Sequence, residues 1–425
     1  MQSDTENEIQ EKKYLLSFLF WFFIVAGLGI RIFYFAHTPI GVRAHDFAAH
    51  AQYIRYVSEH FRVPPAAEGF EYFQAPAYYF LAAALLPTPK HIGPLILSMF
   101  GSCLAFMIAA ASSTVLWKRS ELLYRALFVG LIGGLPGLIY FGAGVNNDSL
   151  LLPLSFLFQD QMVRFWLTRE RVNWWLGQLS IAVGVLTKSS AILYLPLAFI
   201  TLFAARCSTL KERLRLTLGS LLLQGLVWGW YAYFRVFVDH QNQLVGNTFM
   251  LFPNLQVANG ASNLLFFNPF DLLSKPYNNP WHDDFGRQFF WQFFFKSFFV
   301  GEYQFSDALI PLTVVIELLG FLLLAIAFKQ IFVDFVRRTV FAPMILSLFM
   351  LLGAVWFRRM LEPYACNQDF RFVPLVAVPL SYYCVSAIKN SPPQFKFIGI
   401  GLLFLFIGSC GALSVLICKD EWLNI

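Results

Sequence analysis

Residues 45–79 read HDFAAHAQYIRYVSEHFRVPPAAEGFEYFQAPAYY and interrupt an otherwise very apolar chain. The segment follows the first apolar stretch that is long enough to cross a bilayer, and it carries Asp46, His50, Glu71 and Gln74. Ionisable and amide side chains beside a membrane span favour a reaction or binding site at the boundary between lipid and water.

The composition is typical of an integral membrane protein. Of 425 residues, 58% are hydrophobic and 13% are charged, whereas soluble domains are about 25% charged. Several apolar runs reach the roughly 20 residues that a spanning helix needs, and runs of this length form helices rather than barrel strands. The net charge of +6 lies largely in short loops such as 211–215, which is typical of cytoplasmic loops and not of nucleic-acid binding. The sequence therefore predicts an all-α polytopic membrane protein.

About eleven segments are predicted to cross the membrane. Residues 1–13 are expected to be a disordered cytoplasmic tail, and Lys12 and Lys13 place the start of the first span on the inner side. The expected organisation is this tail, a transmembrane module (14–237) that includes the first outer loop (36–91), a large outer loop (238–307) and C-terminal transmembrane helices (308–425). The predicted spans are 14–35, 92–116, 122–141, 150–167, 174–186, 191–205, 216–237, 309–328, 340–357, 372–388 and 397–418.

This orientation places the polar segments outside and leaves short basic loops inside. In the first outer loop, residues 46–60 are predicted to form a helix on the membrane surface. Residues 77–86, bounded by Pro76 and Pro87, are predicted to be a juxtamembrane or re-entrant piece. In the large outer loop, the phenylalanine-rich residues 289–299 suit the interfacial zone of the bilayer. All seven histidines fall on the outer side, so the chemistry is expected there.

Five outer positions each have a structural and a functional interpretation. Asp46 either caps the helix that follows it or, with apolar walls that tune its pKa, acts as a general base. Asn147 and Asp148 begin a predicted span and either cap it or bind a ligand. Lys188 and Arg371 either extend to water or hold a lipid phosphate. The position of Asp46 favours helix capping, whereas the presence of other outer acids favours a role as general base.

The sequence also offers candidates for a metal site and for a disulfide. Asp46 and His50 lie one helical turn apart, a spacing at which both side chains can bind the same divalent cation. The candidate ligands are His45, Asp46, His50 and Glu71. Cys366 and Cys418 are both predicted near the outer side, where they could pair, although two separate thiols are the favoured expectation.

Taken in order, these segments resemble the GT-C glycosyltransferases. The similarity is to the group that contains the dolichyl-phosphate-mannose-protein mannosyltransferases and the aminoarabinose-lipid A transferases. In that group an outer Asp and a surface helix precede an (E/Q)xPPLYY-like segment, and here residues 71–79 read EYFQAPAYY. The other similar segments are Asn147-Asp148-Ser149-Leu150, the "LTKxxA"-like residues 186–191, and the "RYxxP"-like Phe370-Arg371-Phe372 with Pro374. The resemblance is best over residues 1–200.

The resemblance implies an inverting glycosyltransferase that uses a sugar linked to a polyprenyl phosphate. Asp46 would deprotonate the acceptor hydroxyl, and Lys188 and Arg371 would bind the donor phosphate. Residues 191–203 and 289–299 would form an apolar groove for the lipid tail. Residues that would position the acceptor or the sugar are Glu71, Gln74, Asn147 and Asp148.

The acceptor could be a protein, a glycolipid or a glycan, because the sequence departs from the group at Ala75 and Phe372. The short loops favour a bacterial inner membrane, with the site facing the periplasm, over the endoplasmic reticulum. Two other functions stay open: a multi-pass transporter or lipid flippase, and a non-catalytic subunit of a glycan assembly complex. A transporter usually has ionisable groups within the membrane and repeated halves, whereas here the polar clusters lie at one face.

Overall fold

The computed structural model describes residues 2–39, 46–86, 92–205, 209–240, 253–301, 306–337 and 341–418. This part of the chain is helical, as predicted, and its one extended pairing is an isolated bridge between Gln256 and Tyr364. The α-helices are α1 Gln2–His37, α2 Phe47–His60, α3 Ala77–Ala84, α4 Gly93–Leu116, α5 Leu122–Gly134, α6 Pro136–Ile139, α7 Asp148–Thr168, α8 Arg171–Thr187, α9 Tyr194–Ala204, α10 Leu210–Tyr233, α11 Ala261–Leu265, α12 Phe290–Phe299, α13 Ile310–Val336, α14 Ala342–Leu361, α15 Ala377–Asn390 and α16 Pro393–Leu416.

The chain is a multi-pass membrane protein. Among the described residues, six helices are long and apolar enough to cross a bilayer, namely α1, α4, α10, α13, α14 and α16, and the bent pair α5–α6 would make a seventh. The helices α7, α8, α9 and α15 coincide with other predicted spans but are shorter or more polar; α7, for example, contains Asp160 and Arg164. The prediction of about eleven spans is therefore not confirmed.

The N-terminal segment differs from the prediction. Helix α1 begins at Gln2, so the expectation of a disordered tail over residues 1–13 is wrong. Glu, Gln and Lys are good helix formers, and they allow the first membrane helix to continue upstream of its apolar part.

The break between α5 and α6 brings the chain to the candidate site. The two helices meet at an angle of 65°, because Pro136 has no N–H to continue the helical hydrogen-bond ladder. Arg31 of α1 is buried at this break and donates to the oxygen of Gly133 at 2.9 Å and to that of Ile132 at 3.4 Å. The freed carbonyls are thus satisfied inside the bundle, and the chain then turns through a 3-10 segment towards Asp148.

A satellite core supports the first outer loop. The side chains of Tyr53 and Tyr79 stack with ring centroids 3.7 Å apart, and both are fully buried. Ile54 and Val57 of α2 join the same cluster. These contacts fix α2 against α3, as the apolar positions of α2 predict.

The aromatic helix of the large outer loop is buried, so the prediction that it lies in the membrane interface or lines a lipid groove is wrong. The phenylalanines of α12 are at most 7% exposed. Two glycines make room for them: a Cβ at Gly137 would lie 2.8 Å from the oxygen of Phe298, and one at Gly320 would lie 2.7 Å from the ring of Phe299. Helix α9 does present exposed apolar side chains, Ile200 and Phe203, as expected for a lipid-facing surface.

Candidate active site

Asp46 stands directly before α2, with an exposed side chain. It has a left-handed backbone conformation with φ 55°, which Asp tolerates better than most residues. Its backbone oxygen accepts hydrogen bonds from the N–H groups of Ala49 and His50 at 3.0 Å. The carboxylate makes no capping hydrogen bond, so the capping interpretation does not account for this side chain.

His50 lies one turn further along α2 and is buried. Its Nδ1 is 2.8 Å from the hydroxyl of Tyr79. Burial lowers the pKa of His50 to about 4, against the opposing charges of Asp46 and Asp148. His50 is therefore neutral at neutral pH and holds α2 against α3 through a hydrogen bond.

Glu71 begins a relay of polar side chains between the first outer loop and α7. The amide of Gln74 donates to Glu71 Oε2 at 2.9 Å, and Asn147 Nδ2 donates to Gln74 Oε1 at 3.1 Å. The same Asn147 nitrogen donates to the oxygen of Thr187 at 3.0 Å. Three predicted residues thus form one network that ends at the residue before Lys188.

The pKa of Glu71 is raised to about 7, first by burial and then by the negative charge of Asp46. The hydrogen bond from Gln74 and the charges of Lys188 and Arg371 oppose this shift. The pKa of Glu71 therefore depends on the charges of three other predicted site residues, Asp46, Lys188 and Arg371.

Asp148 and Lys188 form a buried ion pair. Lys188 Nζ lies 2.5 Å from Asp148 Oδ1. Asp148 is the first residue of α7, and Lys188 follows the last residue of α8, so the pair joins these two helices at the site. Much of the Lys188 charge is compensated by Asp148 in this state.

Three cations surround the ring of Phe372. Lys188 Nζ is 5.0 Å from the ring centroid, and the guanidinium carbons of Arg358 and Arg371 lie at 4.8 Å and 5.3 Å. Arg371 also lies beside Asp369, with 3.7 Å between Nε and Oδ2. The ring of Phe372 thus gathers three cationic groups, each also beside a carboxylate, which can bind an anion such as a phosphate.

Arg358 was missed from the sequence, although a signal is present. It belongs to the pair Arg358-Arg359 in the last turn of the apolar helix α14, at the end that the sequence predicts to be outside, where basic residues are less common. Its side chain is partly exposed and lies 3.6 Å from Glu362.

A second missed residue, Arg235, holds the first outer loop in place. It is buried in a π-helical turn at the end of α10 and donates to the oxygens of Tyr72 and Gln74 at 2.5 Å and 3.2 Å. Its partner Asp239, at 2.6 Å, accepts from the N–H of Ala66. The sequence signal was an Arg–Asp pair, four residues apart, at the end of an apolar run.

The segment around Arg371 is held from the other side by the large outer loop. The hydroxyl of Ser297 in α12 accepts the N–H of Phe370 at 2.9 Å, and the ring of Phe370 packs on that of Phe298 at 4.7 Å. Gln368 donates to the oxygen of Arg287 at 2.5 Å. Helix α12 therefore positions the residue next to Arg371.

The structure brings together seven of the predicted site residues: Asp46, Glu71, Gln74, Asn147, Asp148, Lys188 and Arg371. His45 lies outside the described residues. Within the described ranges, no group of three or more His, Cys, Asp and Glu side chains could hold a metal ion. Cys366 and Cys418 are separate thiols and not a disulfide.

The same architecture occurs in solved membrane glycosyltransferases. ArnT from Cupriavidus metallidurans, bound to undecaprenyl phosphate, has a TM-score of 0.53 and 14% identity, and the match covers 89% of this chain and 61% of that one. The apo oligosaccharyltransferase of Archaeoglobus fulgidus has a TM-score of 0.55 and 12% identity, over 96% of this chain and 56% of that one.

A complex of the Archaeoglobus fulgidus oligosaccharyltransferase AglB with an inhibitory peptide and a dolichol-phosphate has a TM-score of 0.51 and 10% identity, over 95% of this chain and 56% of that one. This chain has a GT-C-like fold. The resemblance seen in the sequence is confirmed at the level of the fold. The GT-C-like chain spans a little over half the length of these structures. No family model matches its sequence, and no curated protein matches it either.

Proposed function

We propose that this chain is an inverting GT-C glycosyltransferase that moves a sugar from a polyprenyl phosphate to an acceptor hydroxyl on the outer side of the membrane. One observation carries the proposal: four segments distant in sequence bring an exposed carboxylate, a buried acid relay and three cations to one face of the bundle. The lipid phosphates in the ArnT and AglB structures support a donor of this class.

Asp46 is the proposed general base. It would take the proton of the acceptor hydroxyl while the acceptor oxygen attacks the anomeric carbon. The bond from that carbon to the phosphate oxygen breaks on the opposite side, and its electron pair leaves with the lipid phosphate. The anomeric configuration is inverted because attack and departure are in line.

Lys188 and Arg371 are the proposed donor-phosphate ligands, and Arg358 joins them. The leaving phosphate gains negative charge during the reaction, and fixed cations stabilise such charge most where it develops. The common position of the three cations around Phe372 supports this assignment. The ion pair with Asp148 holds the ammonium group of Lys188 in place.

Glu71, Gln74 and Asn147 are proposed to position the sugar or the acceptor. With a pKa of about 7, Glu71 can offer either a hydroxyl donor or a carboxylate acceptor near neutral pH. Asp148 contributes through Lys188. If a divalent cation takes part, the carboxylates of Asp46 and Glu71 would hold it, but these two donors alone fit a metal poorly, and no step of the mechanism depends on one.

The short basic loops support an orientation with the site on the periplasmic side of a bacterial inner membrane. The acceptor class, whether protein, glycolipid or glycan, follows from which acceptor takes up sugar in the test below.

The test is transfer of a radiolabelled sugar from polyprenyl-phosphate-sugar to membrane, glycan and protein fractions by the purified chain. The wild-type chain is expected to transfer label, and Asp46→Asn to lower turnover by roughly a hundredfold or more, because general-base assistance contributes two to four orders of magnitude. Glu68→Gln is the matched control, since Glu68 is an exposed acid in the same loop, and it should retain activity.

Equal turnover in a well-inserted Asp46→Asn protein would contradict the base assignment. Absence of transfer to every fraction, with polyprenyl-phosphate-sugar still bound, would favour a non-catalytic subunit. Movement of the lipid-linked sugar across vesicles without transfer would favour a flippase.

A further inference from the structure

A cavity lies at the opposite end of helix α8 from the candidate site. It has a volume of about 150 Å³. Helix α8 begins at this cavity with Arg171 and ends next to Lys188, 17 residues later, which is roughly 25 Å at 1.5 Å per residue. The cavity is therefore separate from the active site. The residues that line it are Arg171, Trp175, Glu212, Arg215 and Leu216.

The electrostatics of this cavity suit an anion. Helices α8 and α10 both begin at this end, so the positive ends of two helix dipoles lie beside it. Arg171 and Arg215 add two positive charges and Glu212 one negative charge. Arg171 Nε lies 2.8 Å from Glu212 Oε1, which orients the guanidinium without neutralising the cavity. The net charge of the lining is positive.

The surroundings of the cavity suit a lipid. The ring of Trp175 rests on Gly219, where a Cβ would lie 2.7 Å from the ring. Beyond the ring, the surfaces of α8 and α10 expose apolar side chains, among them Leu179, Leu218 and Leu222. This cavity is positively charged and lies beside an apolar surface of two membrane helices. Such a site suits a lipid with an anionic head group and acyl chains.

We propose that this cavity binds the phosphodiester head group of an anionic phospholipid, with the acyl chains along α8 and α10. A cavity of about 150 Å³ is far larger than the minimum that one water needs, so it has room for a phosphate-sized group. The basic loops at this end place it in the cytoplasmic leaflet by the positive-inside rule, and basic pockets between helices on that side are suited to anionic head groups. The site does not depend on the proposed glycosyl transfer.

The test is native mass spectrometry of the purified full chain, titrated with phosphatidylglycerol or phosphatidylcholine. The wild-type chain should retain phosphatidylglycerol in preference to phosphatidylcholine. Arg215→Gln should weaken phosphatidylglycerol binding by about fivefold, the effect of one cation near a membrane surface. Arg215 is exposed, and substitution of a surface residue rarely disturbs folding.

Two further variants distinguish binding in this cavity from a general attraction of anionic lipid to the positively charged protein. Lys211→Gln removes the same charge one helical turn away, but Lys211 is exposed and does not line the cavity, so binding should be unchanged. Glu212→Gln removes the one negative charge and should strengthen binding, a gain that unfolding cannot produce.

The proposal is overturned if Lys211→Gln weakens binding as much as Arg215→Gln, or if Glu212→Gln does not strengthen it. It is also overturned if the two lipids bind equally. Displacement of phosphatidylglycerol by millimolar inorganic phosphate would identify a free-phosphate site instead and would equally overturn it.

Discussion

Two segments surround the candidate site, residues 46–86 and residues 253–301, and they contribute to it in different ways. The first supplies side chains that face the chemistry, such as Asp46 and Glu71, and it is held in place by the buried Arg235. The second supplies packing: its helix α12 is buried and holds the backbone beside Arg371. The candidate site thus combines one segment that carries functional groups with another that fixes the opposing wall.

The largest effect is expected when the first segment loses its anchor. Arg235 and Asp239 form an ion pair in which each side chain is only 2% exposed. Arg235→Gln leaves a buried carboxylate without its cation, which costs about 3–5 kcal/mol. We expect hydrogen exchange over residues 63–76 to accelerate strongly.

The control for this variant is Arg55→Gln. Arg55 pairs with Glu59 at the same spacing of four residues, but both side chains are largely exposed, so no measurable change in exchange is expected. Equal exchange in the two variants would show that Arg235 does not anchor the loop.

The second effect concerns the titration of Glu71. Because its pKa is about 7 in the folded chain and 4.5 in the reference state, the folded state keeps a proton that the unfolded state loses as pH rises between these values. The free energy of unfolding of the wild type, relative to Glu71→Gln, should therefore fall by about 3 kcal/mol from pH 4.5 to pH 7 and stay constant above, at about 1.36 kcal/mol per pH unit.

His50 acts in the opposite direction, since its lowered pKa of about 4 makes stability rise with pH from about 4 to 6.5. This contribution is common to both proteins and cancels in the difference between their unfolding curves. Glu68→Gln, at an exposed position of the same loop, should follow the wild type at every pH. A pH-independent difference for Glu71→Gln would mean that Glu71 is not protonated in the folded chain.

The third effect lies on the wall that the second segment supports. Arg371→Ala should raise the donor concentration needed for half-maximal rate by about tenfold to a hundredfold, because a hydrogen bond to a charged group contributes about 1.5–3 kcal/mol. Arg371→Lys keeps the charge but loses the bidentate geometry, so an intermediate value is expected. An effect confined to the acceptor concentration would argue against a phosphate role for Arg371.

The convergence of the site residues could be predicted from the sequence, whereas several supporting contacts could not. The predicted placement of Asp46, Glu71, Lys188 and Arg371 on one side of the membrane, together with the resemblance to the GT-C group, led us to expect one shared site. In the structure the charges of the other three all act on Glu71. The roles of Arg235 and Arg358 depend on backbone oxygens and on a ring that come close only in three dimensions. The local signals, a basic pair for Arg358 and an Arg–Asp pair for Arg235, do not show which ring or which backbone oxygens these side chains contact.

The aromatic helix α12 shows a second limit. Its aromatic composition led us to predict the membrane interface, but the helix is buried because Gly137 and Gly320, which lie far away in sequence, leave space for its rings. The predicted number of spans is not confirmed for a related reason. Segments such as α9 are apolar enough for a membrane but too short to cross it alone.

The smallest effect tests whether the second segment positions Arg371 through one hydrogen bond. Ser297→Ala removes the hydroxyl that accepts the N–H of Phe370 and leaves that buried N–H unsatisfied, at a cost of about 1 kcal/mol. We expect donor half-saturation to rise by about fivefold with acceptor half-saturation unchanged. Ser180→Ala is the control, because the buried Ser180 donates only within its own helix, to the oxygen of Leu176. If Ser297→Ala and Ser180→Ala have the same donor dependence, α12 supports the fold but does not position the phosphate-binding arginine.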